Sequence, residues 1–243
     1  YWVDYPGFGF DDRGWYVTSN LFRESGPGGG FGGTLLRSFD PTGALEGGDL
    51  DYVDLLISGG SHQVSQVPDG DAPALLARIY DSTTLQLVHI DDPLGEPEAS
   101  FAAVAIPMYE YPADRPPTPG GTTLNSLDGR LMNVMMRNGT LWTGHSISTP
   151  EISNTVSRWY EVDLQDWPSD ADAAPDLLQS GEIRPNPMAH TCFPAIAVNQ
   201  DALGTDANYS VCCDAGSQAT LPDFPVCTCD PANFGIEAYD GGD

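Results

Sequence analysis

Short apolar runs recur along the chain, some continuous and some alternating with polar residues, and turns rich in Gly, Asp, Asn and Pro separate them. Such runs predict antiparallel strands, because successive side chains of a strand lie on opposite faces of a sheet. The clearest case is the segment 131–143, where two apolar runs flank Asn138-Gly139 and predict a tight hairpin. The other runs predicted to be strands are 15–18, 34–38, 52–57, 74–80, 85–90, 101–106, 158–162 and 195–198.

Helical periodicity is nearly absent. The segment 172–180 predicts one or two helical turns, which Pro175 interrupts. About ten short strands with almost no helix are typical of a sandwich, a barrel or a propeller. A unit of an apolar residue, an Asp- or Asn-containing turn and a strand recurs near residues 10–17, 127–132 and 195–203. The intervals of about 115 and 70 residues fit whole numbers of four-stranded propeller blades, which take about 40 to 45 residues each.

We therefore expect an all-β protein with two parts. Residues 1–200 are predicted to form a β-propeller-like domain of about five to six blades, in a complete or an incomplete ring. Residues 201–243 are predicted to form an irregular, disulfide-stapled segment packed on it, because the apolar runs shorten there and the end of the chain is acidic and rich in glycine. Three segments rich in Gly and Pro, 24–33, 92–98 and 111–121, are predicted to be long surface connections.

The charge is strongly negative. Asp and Glu number 35 against nine Lys plus Arg, all nine of which are Arg, and the net charge is −26. A field of this sign repels phosphate backbones and excludes nucleic acid as a general partner. No stretch approaches the roughly 20 apolar residues that span a bilayer. The acidic surface fits either a hydrated protein of a salty medium or calcium binding. The candidate calcium ligands are Asp11, Asp12, Asp49, Asp51 and the stretch 166–172, none of which matches an EF-hand loop.

Five cysteines fall in the last quarter of the chain, at Cys192, Cys212, Cys213, Cys227 and Cys229. The preferred interpretation is two disulfides that join Cys212 and Cys213 to Cys227 and Cys229. Each would close a loop of about 13 to 17 residues and contribute roughly 3 kcal/mol. Cys192 would then be left over, without a partner in this chain. The alternative is a thiolate metal site that includes His190 or Cys192, but the segment lacks the Cys-x-x-Cys spacing of such sites.

Two sequons, at Asn138 and Asn208, are candidate glycosylation sites. Together with the predicted disulfides they predict an extracellular or cell-surface protein. The chain begins with Tyr1 and has no signal-peptide pattern, as expected of a mature or excised product.

Three patches carry a resemblance to a known group. Residues 4–12, running into the strand 15–22, are followed in order by Ser157-Arg158-Trp159-Tyr160-Glu161 and by 193–201. In these patches the chain resembles secreted bacterial β-propeller proteins of unassigned activity, which implies an exported propeller. The first patch is also similar to the opening blade of five-bladed glycoside hydrolases. The Asp-Pro dipeptide of that family is here interrupted, as Asp4-Tyr5-Pro6, and the Asp-containing turn of sialidase propellers is absent.

Asp4 is the candidate catalytic residue if the protein is a hydrolase. Glycoside hydrolysis needs two carboxyl groups, about 5 to 5.5 Å apart for retention or roughly 6.5 to 9.5 Å for inversion. The candidate partners are Asp54, Glu110 and Glu161. The alternative for Asp4 is a capping role in a turn at the entrance of a strand.

The remaining candidates are rings. The histidines at 62, 89, 145 and 190 have no metal-ligand spacing and are expected to be packed or hydrogen-bonded. Six aromatic residues could stack on sugars or pack between strands, and packing is the preferred interpretation; they are Trp15, Tyr16, Trp142, Trp159, Tyr160 and Trp167.

The function expected from the sequence is that of a secreted or cell-surface propeller with a structural, adhesive or glycan-contacting role and no catalytic constellation. Its partners would be glycans or other extracellular proteins. The first alternative is a propeller glycoside hydrolase that uses Asp4. A further alternative is a subunit of an extracellular filament or surface layer, joined through open strand edges and the cysteine-containing tail.

Overall fold

The computed structural model describes residues 1–24, 30–68, 70, 72–112, 116–118, 120–149 and 151–198, together with the backbone of two later strands. The described chain is almost entirely strand. The first eight strands and the one short helix are β1 (Trp2–Phe10), β2 (Trp15–Arg23), β3 (Gly30–Asp40), α1 (Pro41–Leu45), β4 (Asp51–Ile57), β5 (Gln63–Gln66), β6 (Leu75–Asp81), β7 (Thr84–Asp91) and β8 (Glu98–Ala105). The rest are β9 (Leu131–Arg137), β10 (Thr140–Thr149), β11 (Ile152–Asp163), β12 (Asp176–Ile183), β13 (Thr191–Val198), β14 (Ala207–Cys213) and β15 (Ile236–Glu237).

Strands β1 to β12 form one sheet made of three antiparallel meanders: β1–β4, β5–β8 and β9–β12. The meanders meet at β5, which pairs in parallel with β1 through Phe10 and Gln66 and in parallel with β9 through Ser65 and Val134. Within the described residues the sheet does not close on itself. The expectation of an all-β protein is therefore confirmed, whereas a closed propeller ring is not.

A smaller sheet of β13, β14 and β15 lies beside β9 to β11. The side chain of Asn133 joins the two sheets. Its amide nitrogen donates to the Ile196 carbonyl over 2.8 Å, and its amide oxygen accepts from the Ile196 N–H over 3.0 Å. One side chain thus replaces a pair of ladder hydrogen bonds between β9 and β13.

A single large apolar core lies between the meanders. Tyr16, Leu36 and Ile57 enter it from the first meander, and residues of the second and third meanders complete it, among them Leu75, Leu87, Val104, Val134, Leu141 and Val162. Full burial of such side chains stabilises the fold by about 1.5–3 kcal/mol each. A separate cluster of Met135, Trp142, Ile196 and Val198 joins the smaller sheet to the third meander.

Gly9 permits the close approach of β1 to β5. A Cβ atom at this position would clash with the Ser65 carbonyl oxygen and lie 2.7 Å from Cγ1 of Val64. The parallel contact between the first and second meanders therefore requires a residue without a side chain here.

The predicted strands are found, and the hairpin around Asn138-Gly139 is confirmed as β9 and β10. Both turn residues have positive φ, 49° and 79°, as a tight hairpin turn of this kind requires. The prediction of a helix over 172–180 is wrong: Pro175 directly precedes strand β12, which pairs with β11. The prediction of an irregular segment after residue 201 is wrong at β14 and β15, which pair with β13 and with each other.

Helix α1 is absent from the sequence prediction, because five residues are too few for a helical period to show. Asp40 caps it, accepting a hydrogen bond from the Thr42 N–H over 2.9 Å. In the part of the chain that the structure describes, no helix has the length and apolar character to cross a membrane.

Candidate functional site

The first meander has one face in the core and one face in solvent. On the solvent face, Phe10 of β1, Trp15 of β2, Phe39 of β3 and Tyr52 of β4 lie directly opposite one another in register. Four aromatic rings thus form a row across four neighbouring strands, about 14 Å long at the usual strand spacing. Phe8, two residues before Phe10, extends the row along β1. We call these five residues the aromatic face.

The rings of the aromatic face are accessible. Tyr52 is 53% exposed and Trp15 is 36% exposed, and no described residue packs over the row as a layer. Neighbouring ring centroids lie 6.3 Å apart for Phe8 and Phe10 and 6.1 Å apart for Phe39 and Tyr52. A contiguous exposed apolar surface of this kind usually marks an interaction site in a folded protein.

Asp11 sets the register of the aromatic face at the β1–β2 turn. Its buried carboxylate accepts hydrogen bonds from the N–H groups of Arg13, Gly14 and Ala74, and also from the Arg13 guanidinium and the Tyr16 hydroxyl. Burial raises the pKa of Asp11, but these donors outweigh it and hold the pKa below its usual value. The clamped turn returns the chain so that Trp15 lies opposite Phe10.

A charged pair lies beside the row. Arg37 donates from Nε and a terminal nitrogen to the two carboxylate oxygens of Asp54, both over 2.7 Å, and its guanidinium lies 3.9 Å from the centre of the Tyr52 ring. The hydrogen bonds from Arg37 lower the pKa of Asp54. The pair therefore presents donors and acceptors next to a row of rings, so the surface can both stack on a flat ligand and hydrogen-bond its polar groups.

A second feature is an open cavity of about 470 Å³ between the β7–β8 hairpin and the segment after β11. The register places Asp91 opposite Glu98 and His89 opposite Ser100 at its wall. Burial, together with the charge of Arg13, lowers the pKa of His89. The remaining lining residues are Pro73, Ala99, Pro168 and Ser169.

Asp4, the predicted catalytic residue, is exposed on β1. Its carboxylate accepts a hydrogen bond from the Tyr5 N–H over 2.8 Å, at a point where Tyr5 has a φ of 54° and the β1–β2 register shifts. This is the local backbone role that the sequence left as the alternative. The ring of Tyr5 lies under the guanidinium of Arg130, which pairs with Asp128.

The three predicted partner carboxylates lie on separate elements. Asp54 pairs with Arg37 on β4, and Glu161 is buried on β11, where it accepts a hydrogen bond from Gln179 over 2.6 Å. Glu110 is exposed and bridges to Ser148 through its backbone. The described contacts bring none of the three together with Asp4.

The predicted calcium ligands are also dispersed. Six hydrogen bonds occupy the carboxylate of Asp11, while Asp12 is exposed next to it; Asp51 begins β4, and Asp49 precedes it. In the stretch 166–172, Asp170 accepts a hydrogen bond from the Asp172 N–H. Among the described residues there is no group of three or more His, Cys, Asp or Glu side chains arranged to hold a metal ion.

Asn138 is exposed in the β9–β10 turn, where a glycan could be attached. Asn208 lies in β14 opposite Ala197. Cys192 is buried on β13, and the backbone register places it opposite Cys212. Cys227 and Cys229 lie outside the described residues, so their predicted pairing stays a prediction.

Of the six aromatic residues singled out by sequence, Tyr16, Trp142, Tyr160 and Trp167 are buried, as predicted, and Trp159 stacks on Trp142 at 5.9 Å. Only Trp15 belongs to the aromatic face. Sequence reasoning missed Phe8, Phe10, Phe39 and Tyr52. The available signal was strand alternation, which puts Phe8 with Phe10 on one face, but the alignment across four strands depends on the turns.

No protein-family model, curated protein or solved structure matches this chain.

Proposed function

We propose that the protein is an extracellular or cell-surface glycan-contacting module and that the aromatic face binds a neutral polysaccharide chain. The observation that carries this proposal is the in-register row of Phe10, Trp15, Phe39 and Tyr52, with Arg37 and Asp54 beside it. The exposed hairpin sequon at Asn138 supports the compartment.

The chemistry of the face selects the ligand class. Sugar rings offer flat faces of C–H groups that stack on aromatic rings, and hydroxyl groups that pair with a guanidinium or a carboxylate. The rings of the row repeat at the spacing of strands, about 4.8 Å, which suits consecutive rings of a polymer. The net charge of −26 opposes sulfated or uronic-acid-rich chains and so favours a neutral one.

The proposed architecture is that of a propeller-like array, with β1, β5 and β9 as the inner strands of three blades. Two features support it: these three strands run parallel to one another where they meet, and each begins a four-stranded antiparallel meander. In this arrangement the aromatic face is the outer face of the first blade.

The test is a binding titration against neutral polysaccharides (a β-glucan, a xylan and a mannan) and a sulfated one, each with and without calcium. We expect binding to a neutral chain that Trp15→Ala and Tyr52→Ala each weaken by about tenfold, since a stacked ring contributes about 1–1.5 kcal/mol. Phe101→Ala, which removes an exposed aromatic residue of β8 outside the face, is the matched control and should bind as the parent does. Equal binding by all variants would refute the proposal.

Self-association is the competing use of the same face, and light scattering distinguishes it. A parent protein that is dimeric or larger, with Trp15→Ala monomeric, would assign the face to a second copy of the chain and favour the filament or layer alternative.

The cavity favours a second candidate function, glycoside hydrolysis. Asp91 and Glu98 are directly opposed on β7 and β8, where Cβ atoms lie about 4.5–5.5 Å apart, and a pair of carboxyl groups is what the reaction needs. The test is the release of reducing ends from the bound polysaccharide. Loss of release in both Asp91→Asn and Glu98→Gln, with binding unchanged, would establish the hydrolase; no release by the parent protein would exclude it.

A further inference from the structure

Two cysteines that are far apart in sequence lie opposite each other in the smaller sheet. In the antiparallel pair of β13 and β14, Cys192 is the register partner of Cys212, and Thr191 is the partner of Cys213. The register shifts between Cys192 and Ala195, so the pairing of the two cysteines belongs to the regular ladder before the irregularity.

The separation suits a disulfide. Directly opposed residues of antiparallel strands have Cα atoms about 4.5–5.5 Å apart, and disulfides are found at about 4.4–6.8 Å. Opposed residues also belong to the same face of the sheet, as a bond between their side chains requires. Cys213 is one position further on and belongs to the opposite face, opposite Thr191, so the register selects Cys212.

Strand β13 is itself fixed to the main sheet around Cys192. The hydroxyl of Thr191 accepts from the Ser157 N–H and donates to the Ile183 carbonyl, each over 2.8 Å, and the Phe193 N–H donates to the Ser146 hydroxyl over 3.1 Å. Cys192 between them is 4% exposed. A covalent bond at this position would therefore attach β14 to a rigid part of the fold.

We propose that Cys192 and Cys212 form a cross-strand disulfide that fastens β14 to the body of the protein. In its formation two thiols lose two protons and two electrons and one S–S bond forms. The acceptor is the disulfide of a thiol oxidoreductase or of oxidised glutathione, which is reduced to two thiols. The cysteine without a partner in the chain is then one of Cys213, Cys227 and Cys229, and not Cys192 as the sequence alone predicts.

Peptide mapping of the protein from an oxidising secretory host tests the proposal, independently of the aromatic face. After alkylation without reduction, cleavage before Asp separates the cysteines into three fragments: 176–200 with Cys192, 206–213 with Cys212 and Cys213, and 223–229 with Cys227 and Cys229. We expect 176–200 to be joined to 206–213 in the parent protein, in about tenfold excess over its alkylated form.

Two single variants identify the partner within fragment 206–213. In Cys213→Ser, fragment 176–200 should still be joined to 206–213, and in Cys212→Ser that species should disappear. Because the readout is a covalent mass, it does not depend on equal stability of the variants. Recovery of 176–200 in alkylated form, a link from it to 223–229, or a link that survives Cys212→Ser but not Cys213→Ser would overturn the proposal.

Discussion

Nε2 of His145 lies 2.9 Å from the hydroxyl oxygen of Tyr160 inside the main core, while Nδ1 lies 2.5 Å from the carbonyl oxygen of Gly129. Because a carbonyl oxygen only accepts, Nδ1 carries the proton and Nε2 accepts from the Tyr160 hydroxyl. The imidazole is therefore neutral and fully used. Burial, together with the charge of Arg158, lowers its pKa to about 4, although the bond to Gly129 acts in the opposite direction.

This arrangement predicts acid lability. The unfolded chain binds a proton at His145 near pH 6.5 and the folded protein only near pH 4, so folding stability is complete above about pH 6.5 and falls as the pH drops towards 4. The contribution is about 3 kcal/mol over this range. Urea unfolding between pH 7 and 4 should show a smaller pH dependence for His145→Gln. Tyr160→Phe, which keeps the imidazole, should retain the dependence; an unchanged slope in His145→Gln would contradict the prediction.

The clamp at Asp11 predicts a large effect of a small change. Asp11→Asn removes the charge that holds Arg13 and replaces one carboxylate oxygen with a donor that faces other donors, so we expect unfolding to become easier by about 3 kcal/mol at pH 7. Since the pKa of Asp11 is depressed in the folded protein, its stabilisation is complete above about pH 4 and is lost as the pH falls further. The exposed neighbour gives the control: Asp12→Asn should change stability by less than about 0.5 kcal/mol.

The contact between β1 and β5 predicts that Gly9→Ala is strongly destabilising. The added methyl group would overlap the Ser65 carbonyl oxygen and Val64, so β1 must move away from β5, at an expected cost of at least about 3 kcal/mol. Gly120→Ala is the matched control, because the nearest heavy atom to its Cβ lies at 4.0 Å. Denaturant midpoints compare the two, and equal midpoints would show that β1 does not depend on the close approach.

Two arginine–carboxylate pairs should differ in their effect on stability. The side chain of Arg158 is 8% exposed, pairs with Glu182 and donates to the Pro107 carbonyl over 2.9 Å, whereas that of Arg37 in its pair with Asp54 is 36% exposed. Arg158→Met leaves Glu182 and two carbonyl groups without their donor and should cost about 3 kcal/mol. Arg37→Met should cost at most about 1 kcal/mol. Urea unfolding in low and high salt checks both, and similar losses for the two would contradict the role of burial.

The sequence by itself determined the class of the fold and much of its local structure. Alternation of apolar residues located most strands, and Asn138-Gly139 located a hairpin, because both signals depend only on neighbours in the chain. It failed at residues 172–180, where pairing with β11 overrides weak helical propensity, and after residue 201, where β14 forms against β13.

Tertiary structure alone decided which distant residues meet. The row from Phe10 to Tyr52, the opposition of Asp91 and Glu98 in a cavity and the register of Cys192 with Cys212 all depend on the alignment of one strand with another. Periodicity assigns a residue to a face but leaves the shift between strands open, and turns, bulges and core packing fix that shift. For this reason the sequence named Trp15 as one aromatic residue among six, while only the folded sheet places it in a surface.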